Sequence, residues 1–200
     1  MIVRIFLAGF LSLGITFVAS SQDISLYSGI SHASMKDMKL LQEFIAGQVP
    51  VSYEFTDRFP VYWLYGFSAR WRVTEKGKIG INAHTTSTGA RSSYSDYSGK
   101  SNQDYFLRSF GLSTYYDYRI YEEEKFEAVL YSQIGIVSTR FDYEEYFQLG
   151  NQSTTESLVF NSVGIMMELG AAGKYFFFKK GFLEARIGYQ FTQQAPLNDE

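Results

Sequence analysis

Residues 61–73 read Val-Tyr-Trp-Leu-Tyr-Gly-Phe-Ser-Ala-Arg-Trp-Arg-Val, and the two sets of alternate positions differ sharply in polarity. Alternate side chains of a β-strand point to opposite faces. The odd positions carry no charge and include two tryptophans, whereas the even positions include Gly66, Ser68, Arg70 and Arg72. A membrane-spanning strand needs about 9–11 residues. The alternation therefore predicts a transmembrane strand with lipid on its odd face and a polar lumen on its even face. The alternative is a long strand of a secreted β-sandwich.

The composition of the 200-residue chain narrows the protein class. A net charge of -3 and a pI of about 5.5 give no basic footprint for nucleic acid. The absence of cysteine excludes disulfides, thiol chemistry and cysteine-ligated metals. Aromatic residues make up 18% of the chain, which suits the aromatic girdles of a membrane barrel better than a water-soluble core.

The N-terminal residues 1–22 have the pattern of a signal peptide. Arg4 supplies the positive charge, residues 5–19 are apolar, and Ala19-Ser20-Ser21 is a small-residue cleavage site. We predict cleavage just before Gln22 or Asp23. No later stretch has 18 consecutive apolar residues, so the exported chain can span a membrane only as a closed barrel.

Seven segments alternate in all, including residues 61–73, and the connections between them alternate in length. The turns near residues 75, 123 and 180 are short, whereas the connections 32–60, 87–103 and 142–157 are long; short periplasmic turns and long external loops are typical of outer-membrane barrels. The first long connection should contain a short amphipathic helix over residues 34–46. The predicted strands are 24–30, 61–73, 79–86, 105–121, 126–141, 158–177 and 182–192. The sequence thus predicts an all-β, antiparallel, up-and-down transmembrane barrel.

Three segments resemble the outer-membrane β-barrel family of Bacteroidetes-type bacteria. They are Lys36-Asp37-Met38-Lys39-Leu40-Leu41-Gln42, Phe59-Pro60-Val61-Tyr62-Trp63-Leu64-Tyr65-Gly66, and Thr86-Ser87-Thr88-Gly89-Ala90-Arg91 together with Tyr94-Ser95-Asp96-Tyr97-Ser98-Gly99. The resemblance covers most of the mature chain. It implies an eight-stranded barrel whose family members mostly lack a defined activity.

The strand count departs from that family pattern. A single-chain bacterial barrel has an even number of strands, but only seven are counted. The tail Pro196-Leu197-Asn198-Asp199-Glu200 has the character of an external loop. We therefore expect a barrel domain over residues 23–200 that lacks its closing strand.

The alternation also assigns side chains to the two faces of the barrel. Across the turns, it predicts cross-strand ion pairs of Arg119 with Glu127 and of Lys174 with Glu184. A structural cluster of lumen charges is predicted from Arg70, Arg72, Asp117, Arg119, Glu127, Glu168, Glu184 and Arg186. The lipid-facing girdle is predicted from Trp63, Tyr65, Phe67, Trp71, Tyr116, Tyr118 and Tyr189.

No residue pattern in the chain points to a reaction. There are two histidines and no metal-ligand spacing, so we expect no catalytic residue, cofactor or metal. The expected role is structural or surface-interacting, with outer-membrane lipid around the barrel and an extracellular ligand at loops 87–103 and 142–157. Three alternatives stay open: a lipid-modifying enzyme using His84, Ser87 and Asp96, a narrow channel, and a soluble lipocalin-like barrel. The last would bury Trp63 and Trp71.

Overall fold

The strands of the chain are long, antiparallel and consecutive. A computed structural model describes residues 8–19, 22–33, 62–97, 99–178, 181–195 and 198–199. The predicted helix 34–46 lies outside the described residues. In the part that is described, no helix is long and apolar enough to cross a membrane. The strands are β1 (Ala8–Ala19), β2 (Gln22–Ala33), β3 (Tyr62–Arg72), β4 (Gly77–Ser95), β5 (Gly99–Glu122), β6 (Phe126–Leu149), β7 (Gln152–Phe178), β8 (Gly181–Gln194) and β9 (Asn198–Asp199).

Strands β1 to β8 form a closed barrel. Each pairs antiparallel with the next along the chain, and β8 pairs back with β1. Closure leaves no sheet edge within the barrel, which is the condition for placing strands in lipid. The predicted fold class is confirmed: the protein is an all-β, antiparallel, up-and-down barrel of the eight-stranded type.

The closing strand is β1, which lies within the residues predicted to be a signal peptide. Strands β2 to β8 are the seven strands expected from the alternation, and the open edge expected beside β8 is wrong because β1 fills it. Ala8 pairs with Gln190, and Phe17 pairs with Gly181. On its other side, β1 pairs with β2 along its whole length. Cleavage before Gln22 stays a prediction, because strand pairing does not test it.

The physical reason for this correction is that an apolar signal sequence and a membrane strand share length and hydrophobicity. Residues 8–19 read Ala-Gly-Phe-Leu-Ser-Leu-Gly-Ile-Thr-Phe-Val-Ala. Leu11, Leu13 and Ile15 stand at odd positions, while Ser12, Gly14 and Thr16 stand at even positions. Residues 11–16 therefore have the period of two that a strand requires. Length and apolarity alone do not reveal this period.

The strands differ greatly in length, and the excess lies at one end of the barrel. β1, β2, β3 and β8 have 11 to 14 residues, whereas β4 to β7 have 19 to 27. The β3–β4 pairing ends at Leu64 and Thr86, and β4 then continues with β5 alone to Ser95. We call the continuation of these four strands, residues 87–95, 99–108, 139–149 and 152–161, the outer sheet.

The outer sheet corrects two of the predicted loops. Segments 87–103 and 142–157 are mostly paired strand, with turns at 96–97 and 150–151 among the described residues. Gly150 adopts a φ of 57° at the second turn, in the left-handed region that glycine tolerates best. Both faces of these segments are largely polar outside the bilayer, so the sequence lacks the apolar alternation from which strands are predicted.

Candidate functional site: a lipid belt, a filled lumen and an outer sheet

An apolar belt encircles the outside of the barrel. Trp63 is 59% exposed and Trp71 38% exposed, which excludes the lipocalin-like alternative because that class buries its apolar residues inside. The same outward face carries Ile134, Leu169 and Ile187, all exposed. The residues predicted for the girdle all lie exposed on this outer face, namely Trp63, Tyr65, Phe67, Trp71, Tyr116, Tyr118 and Tyr189.

The height of the belt matches a bilayer. On β5 it runs from Phe110 to Ile120, ten residue steps. At about 3.3 Å per step this is about 33 Å along the strand, or about 25 Å perpendicular to the membrane at a tilt of about 40°. Arg108 and Arg140 stand opposite each other directly above it and mark its outer limit. Belt and closed sheet together form the architecture of a bacterial outer-membrane barrel.

Most of the predicted lumen charges lie inside the barrel. Two of the eight do not: Arg72 is exposed at the end of β3, and Arg119 lies at the rim beside the short turns. Three interior charges were not in the predicted set, namely Asp23, Lys78 and Lys174, although their parity along the strands would have identified them. The buried members of the predicted set are Arg70, Asp117, Glu127, Glu168, Glu184 and Arg186.

Arg70 is the centre of the lumen network, and its side chain is 0% exposed. Its Nη1 donates to Oδ2 of Asp117 at 3.0 Å, and its Nη2 donates to Oε2 of Glu184 at 2.7 Å. The guanidinium also lies 5.6 Å from the ring centre of Tyr115 and 6.0 Å from that of Phe182. A buried charge is costly unless it is paired and hydrogen-bonded, so the barrel holds Arg70 only because two carboxylates face it.

Two further cations complete the neutralisation of these carboxylates. Lys174 donates to Glu127 at 3.0 Å and to Asp117 at 3.3 Å. Arg186 donates its Nε–H to Glu184, and its guanidinium lies 5.1 Å from the ring centre of Tyr115. Carboxylates and cations alternate through space across strands that are far apart in sequence. The result is one connected network that crosses the lumen.

Glu168 is hydrogen-bonded to uncharged side chains of the lumen. It accepts a hydrogen bond of 2.7 Å from the Tyr131 hydroxyl and another from the Gln133 side-chain amide. The amide oxygen of Gln133 accepts from Asn82 at 3.0 Å, and Asn82 in turn accepts from the Tyr27 hydroxyl at 2.7 Å. This polar chain connects β7, β6, β4 and β2 across the interior.

Inward glycines make room for the large rings that fill the lumen. A Cβ atom at Gly66 would lie 2.1 Å from the Tyr27 ring, and one at Gly188 would lie 2.3 Å from the Tyr131 hydroxyl oxygen. Such distances are far below contact, so a tyrosine occupies the volume that each glycine leaves. A barrel of about eight strands is just wide enough for side chains to fill it. At the short-turn end a recess of about 10 Å³, lined by Lys78 and six other residues, has room for one water molecule.

Of the two predicted cross-strand ion pairs, neither forms, and only Lys174 with Glu184 has the predicted backbone register. Arg119 lies opposite Val129 and not opposite Glu127, because the turn is centred between Glu124 and Lys125 rather than at Glu123, so the predicted pair is wrong. A bulge between Arg119 and Tyr121 changes the register by one further residue. A bulge adds one unpaired residue to one strand and re-aims its neighbours. Arg119 instead forms an ion pair of 2.6 Å with Glu122 at the rim. Lys174 does lie opposite Glu184 in the backbone register, as predicted, but it donates to Glu127 and Asp117.

The residues considered for lipid-modifying chemistry are not brought together. His84 and Asp96 are twelve residues apart on one strand and the turn after it, roughly 40 Å at 3.3 Å per residue. His84 is buried in the lumen, whereas Ser87 has the opposite parity and is exposed. Proton transfer needs hydrogen-bond contact, which this arrangement does not provide. Among the described residues, no group of three or more acidic, histidine or cysteine side chains could hold a metal ion.

The outer sheet has its own internal order. Tyr105 stacks on Phe141 at 6.4 Å between ring centres, and Phe141 stacks on Phe160 at 6.0 Å. On the opposite face Arg91 forms a bidentate ion pair with Asp104, in which Nη2 donates to Oδ2 at 2.6 Å and Nε donates to Oδ1. That contact holds the pKa of Arg91 above its usual value because the carboxylate hydrogen-bonds the charged form. The outer sheet is therefore an ordered platform above the belt.

Comparisons with known proteins find solved structures of low similarity. No family model matches the chain, and no curated protein matches it. The translocator domain of autotransporter NalP from Neisseria meningitidis has a TM-score of 0.37 at 9% identity, with 94% of this chain and 88% of that chain covered. Ail, the attachment invasion locus protein of Yersinia pestis, has a TM-score of 0.28 at 11% identity, with 92% and 97% covered.

A third solved structure, Neisserial surface protein A, has a TM-score of 0.25 at 10% identity, with 94% of this chain and 96% of that chain covered. These similarities are too low to transfer any activity or ligand to this chain. The fold rests on the strand pairings and the lipid belt described above.

Proposed function

We propose that this protein is a structural or surface-interaction protein of the outer membrane, with no catalysis and no open pore, which displays its outer sheet outside the cell. One observation carries the proposal: four strands continue past the lipid belt on one side of a barrel whose lumen is filled. A barrel with a filled lumen holds the protein in the membrane but offers no path for solutes. The strands that extend from it are then the part available to a partner, and segments 87–103 and 142–157 belong to that part.

Two features of the lumen support a role without transport or catalysis. The network around Arg70 occupies the barrel axis with buried, mutually paired charges. Opening a path would leave some of these charges unpaired in a low-dielectric interior, which is costly. His84 is buried in the lumen wall, and Asp96 lies roughly 40 Å away along β4 and the turn after it, so the enzyme alternative lacks the carboxylate it needs beside His84.

We also propose that the chain belongs with the Bacteroidetes-type outer-membrane barrels. The support is the set of three sequence segments that resemble that family, together with the eight-stranded barrel that the resemblance implies. The segment beginning at Thr86 lies at the start of the outer sheet, on β4. Outer-membrane lipid is the surrounding partner in this proposal, and the distal ligand is extracellular.

Cysteine labelling on intact bacterial cells tests the display of the outer sheet. The chain has no cysteine, so each introduced one is the only thiol. Tyr97→Cys and Asn151→Cys lie at exposed tips of the outer sheet, and Glu124→Cys lies at an exposed short turn. We expect a membrane-impermeant maleimide to label the first two on intact cells and the third only after the envelope is opened. Labelling of Glu124→Cys alone on intact cells would contradict the proposal.

A further inference from the structure

The last strand of the outer sheet has one unpaired edge. β7 pairs with β6 from Gln152 onward. On its other side, pairing with β8 ends at Gly164, and the short β9 continues it only to Phe160. Among the described residues, nothing pairs with that side of residues 152–159. Residues 151–158 are all exposed, so this edge presents backbone N–H and C=O groups to the surroundings.

Apart from the charge of Glu156, the edge carries none of the features that usually protect an exposed strand, as far as the described residues show. It reads Gln-Ser-Thr-Thr-Glu-Ser-Leu-Val, without proline or lysine. Its pairing with β6 runs without a bulge. Natural edge strands avoid adding a foreign strand by proline, charge, bulges or a covering loop. An eight-residue edge with a single charge and, among the described residues, no proline, bulge or covering loop is suited to take up another strand.

The charges beside this edge specify what such a strand should carry. Glu156 lies directly opposite Glu145 on β6. The two oxygens of Glu145 accept hydrogen bonds from Gln103 at 3.3 Å and from Tyr143 at 3.1 Å, whereas Glu156 is exposed at the edge strand. Like charges directly opposite each other destabilise a sheet. A basic residue on an added strand, opposite Glu156, would relieve this repulsion.

Apolar side chains on the same face add a second requirement. Leu158 has the parity of Glu156 and is 53% exposed, and Phe147 on the neighbouring strand is 49% exposed. Side chains two residues apart in a strand share a face. An added strand with a basic residue opposite Glu156 has the residue two positions away opposite Leu158, where an apolar side chain would cover the exposed leucine.

We propose that the free edge of β7 takes up an extended segment of an extracellular polypeptide as an added strand, with a lysine or arginine opposite Glu156 and an apolar residue two positions from it. This inference rests on the proposed surface-interaction function and names the class of partner. Main-chain hydrogen bonds provide the affinity in this mode of recognition, and alternate side chains provide the specificity.

A second copy in the same membrane does not fit this edge. Two copies inserted in one membrane have the same orientation, and a two-fold axis relating them runs along the membrane normal. With strands tilted by about 40°, the two β7 edges would cross at about 80°. Strands that cross at such an angle cannot pair along eight residues, so the occupant comes from another polypeptide.

A charge exchange tests the proposal with synthetic peptides on the full-length protein in lipid nanodiscs. The probes are the capped peptide TVTKTVTV and its counterpart TVTETVTV, which differ only in the sign of the central charge. We expect the wild type to bind the lysine peptide, and Glu156→Lys to bind it about fivefold more weakly and to bind the glutamate peptide better by a similar factor. Ser153→Lys is the matched control: it lies on the same edge strand with the opposite parity, so both affinities should stay as in the wild type. Methylation of alternate backbone amides of the lysine peptide should abolish binding.

Three results would overturn the proposal. One is no binding of the lysine peptide to the wild type up to about 1 mM. Another is the same weakening in Glu156→Lys and in Ser153→Lys. The third is a dimer of the wild type that the peptide dissociates, since that would assign the edge to a second copy. Surface labelling of Tyr97→Cys without peptide binding would remove this inference alone, whereas absence of that labelling would remove the proposed function as well.

Discussion

At the scale of single residues, burial decides how much an ion pair contributes to the free energy of unfolding. Arg70 is fully buried and faces two carboxylates, so Arg70→Met leaves Asp117 and Glu184 short of a partner. We expect this substitution to lower the free energy of unfolding by about 3–5 kcal/mol. Denaturant unfolding in lipid vesicles, followed by tryptophan fluorescence, measures the change.

Arg108→Met is the matched control for that prediction. Its side chain is 66% exposed, and its Nε lies 4.0 Å from Asp142. An exposed pair contributes about 0–1 kcal/mol. Equal losses in the two variants would contradict the assignment of the network around Arg70 as a buried structural element.

The lipid belt makes a second prediction at this scale. Leu169 faces outward near the middle of the apolar run on β7 and is exposed. Leu169→Arg should cost about 2–4 kcal/mol in a bilayer, because a cation at mid-depth faces hydrocarbon. Ser157→Arg, on the outward parity of the same strand but in the outer sheet, should change the unfolding free energy little. A small cost for Leu169→Arg in vesicles would argue against a lipid-facing belt.

At the scale of elements, the pairing of β1 can be tested directly. Ile15 and Leu183 are paired across β1 and β8, and antiparallel partners lie about 4.5–5.5 Å apart between Cα atoms, within disulfide range. We expect Ile15→Cys/Leu183→Cys to form an intramolecular disulfide in the folded protein. Intact mass and gel mobility with and without reductant report it.

The Ile15→Cys/Leu183→Cys variant also tells whether residues 8–19 are retained as strand β1 or removed as part of a signal peptide. If the chain is cleaved before Gln22, the purified protein lacks the first cysteine and its mass falls by the mass of residues 1–21. The cross-link then cannot form, and the seam between β2 and β8 needs another strand. Ile15→Cys paired with Ile165→Cys is the control, because β1 does not pair with β7.

At the scale of the whole molecule, the filled lumen predicts an electrically silent barrel. Buried side chains such as Tyr115, Tyr131 and Arg186 occupy the interior. We expect no stable conductance steps when the purified protein is inserted in a planar bilayer. Insertion is checked separately by protection of the belt from protease. Regular, reproducible steps would favour the narrow channel and contradict the sealed lumen.

Much of this protein follows from local alternation. In a membrane barrel one face of each strand contacts lipid and the other faces the lumen. The alternation of apolar and polar residues within a single strand therefore shows which side chains lie on which face. That is why Trp63 and Trp71 could be placed outside, and Arg70 and Glu184 inside, from their sequence positions alone. Three of the neighbour pairs follow as well, because the short turns near residues 75, 123 and 180 force the strands that they join to pair antiparallel.

Tertiary structure alone decided which charges meet and which residues complete the sheet. Arg70 pairs with Glu184, 114 positions along the chain, because barrel closure brings distant strands together across a narrow lumen. The bulge beside Arg119 depends on the whole β5–β6 register, which the turn sequence does not specify. The sequence did not predict the outer sheet or β1 as strands, for opposite reasons. Outside the bilayer both strand faces are largely polar and the alternation disappears, while in residues 8–19 the apolar character of a signal sequence masks the period of a strand.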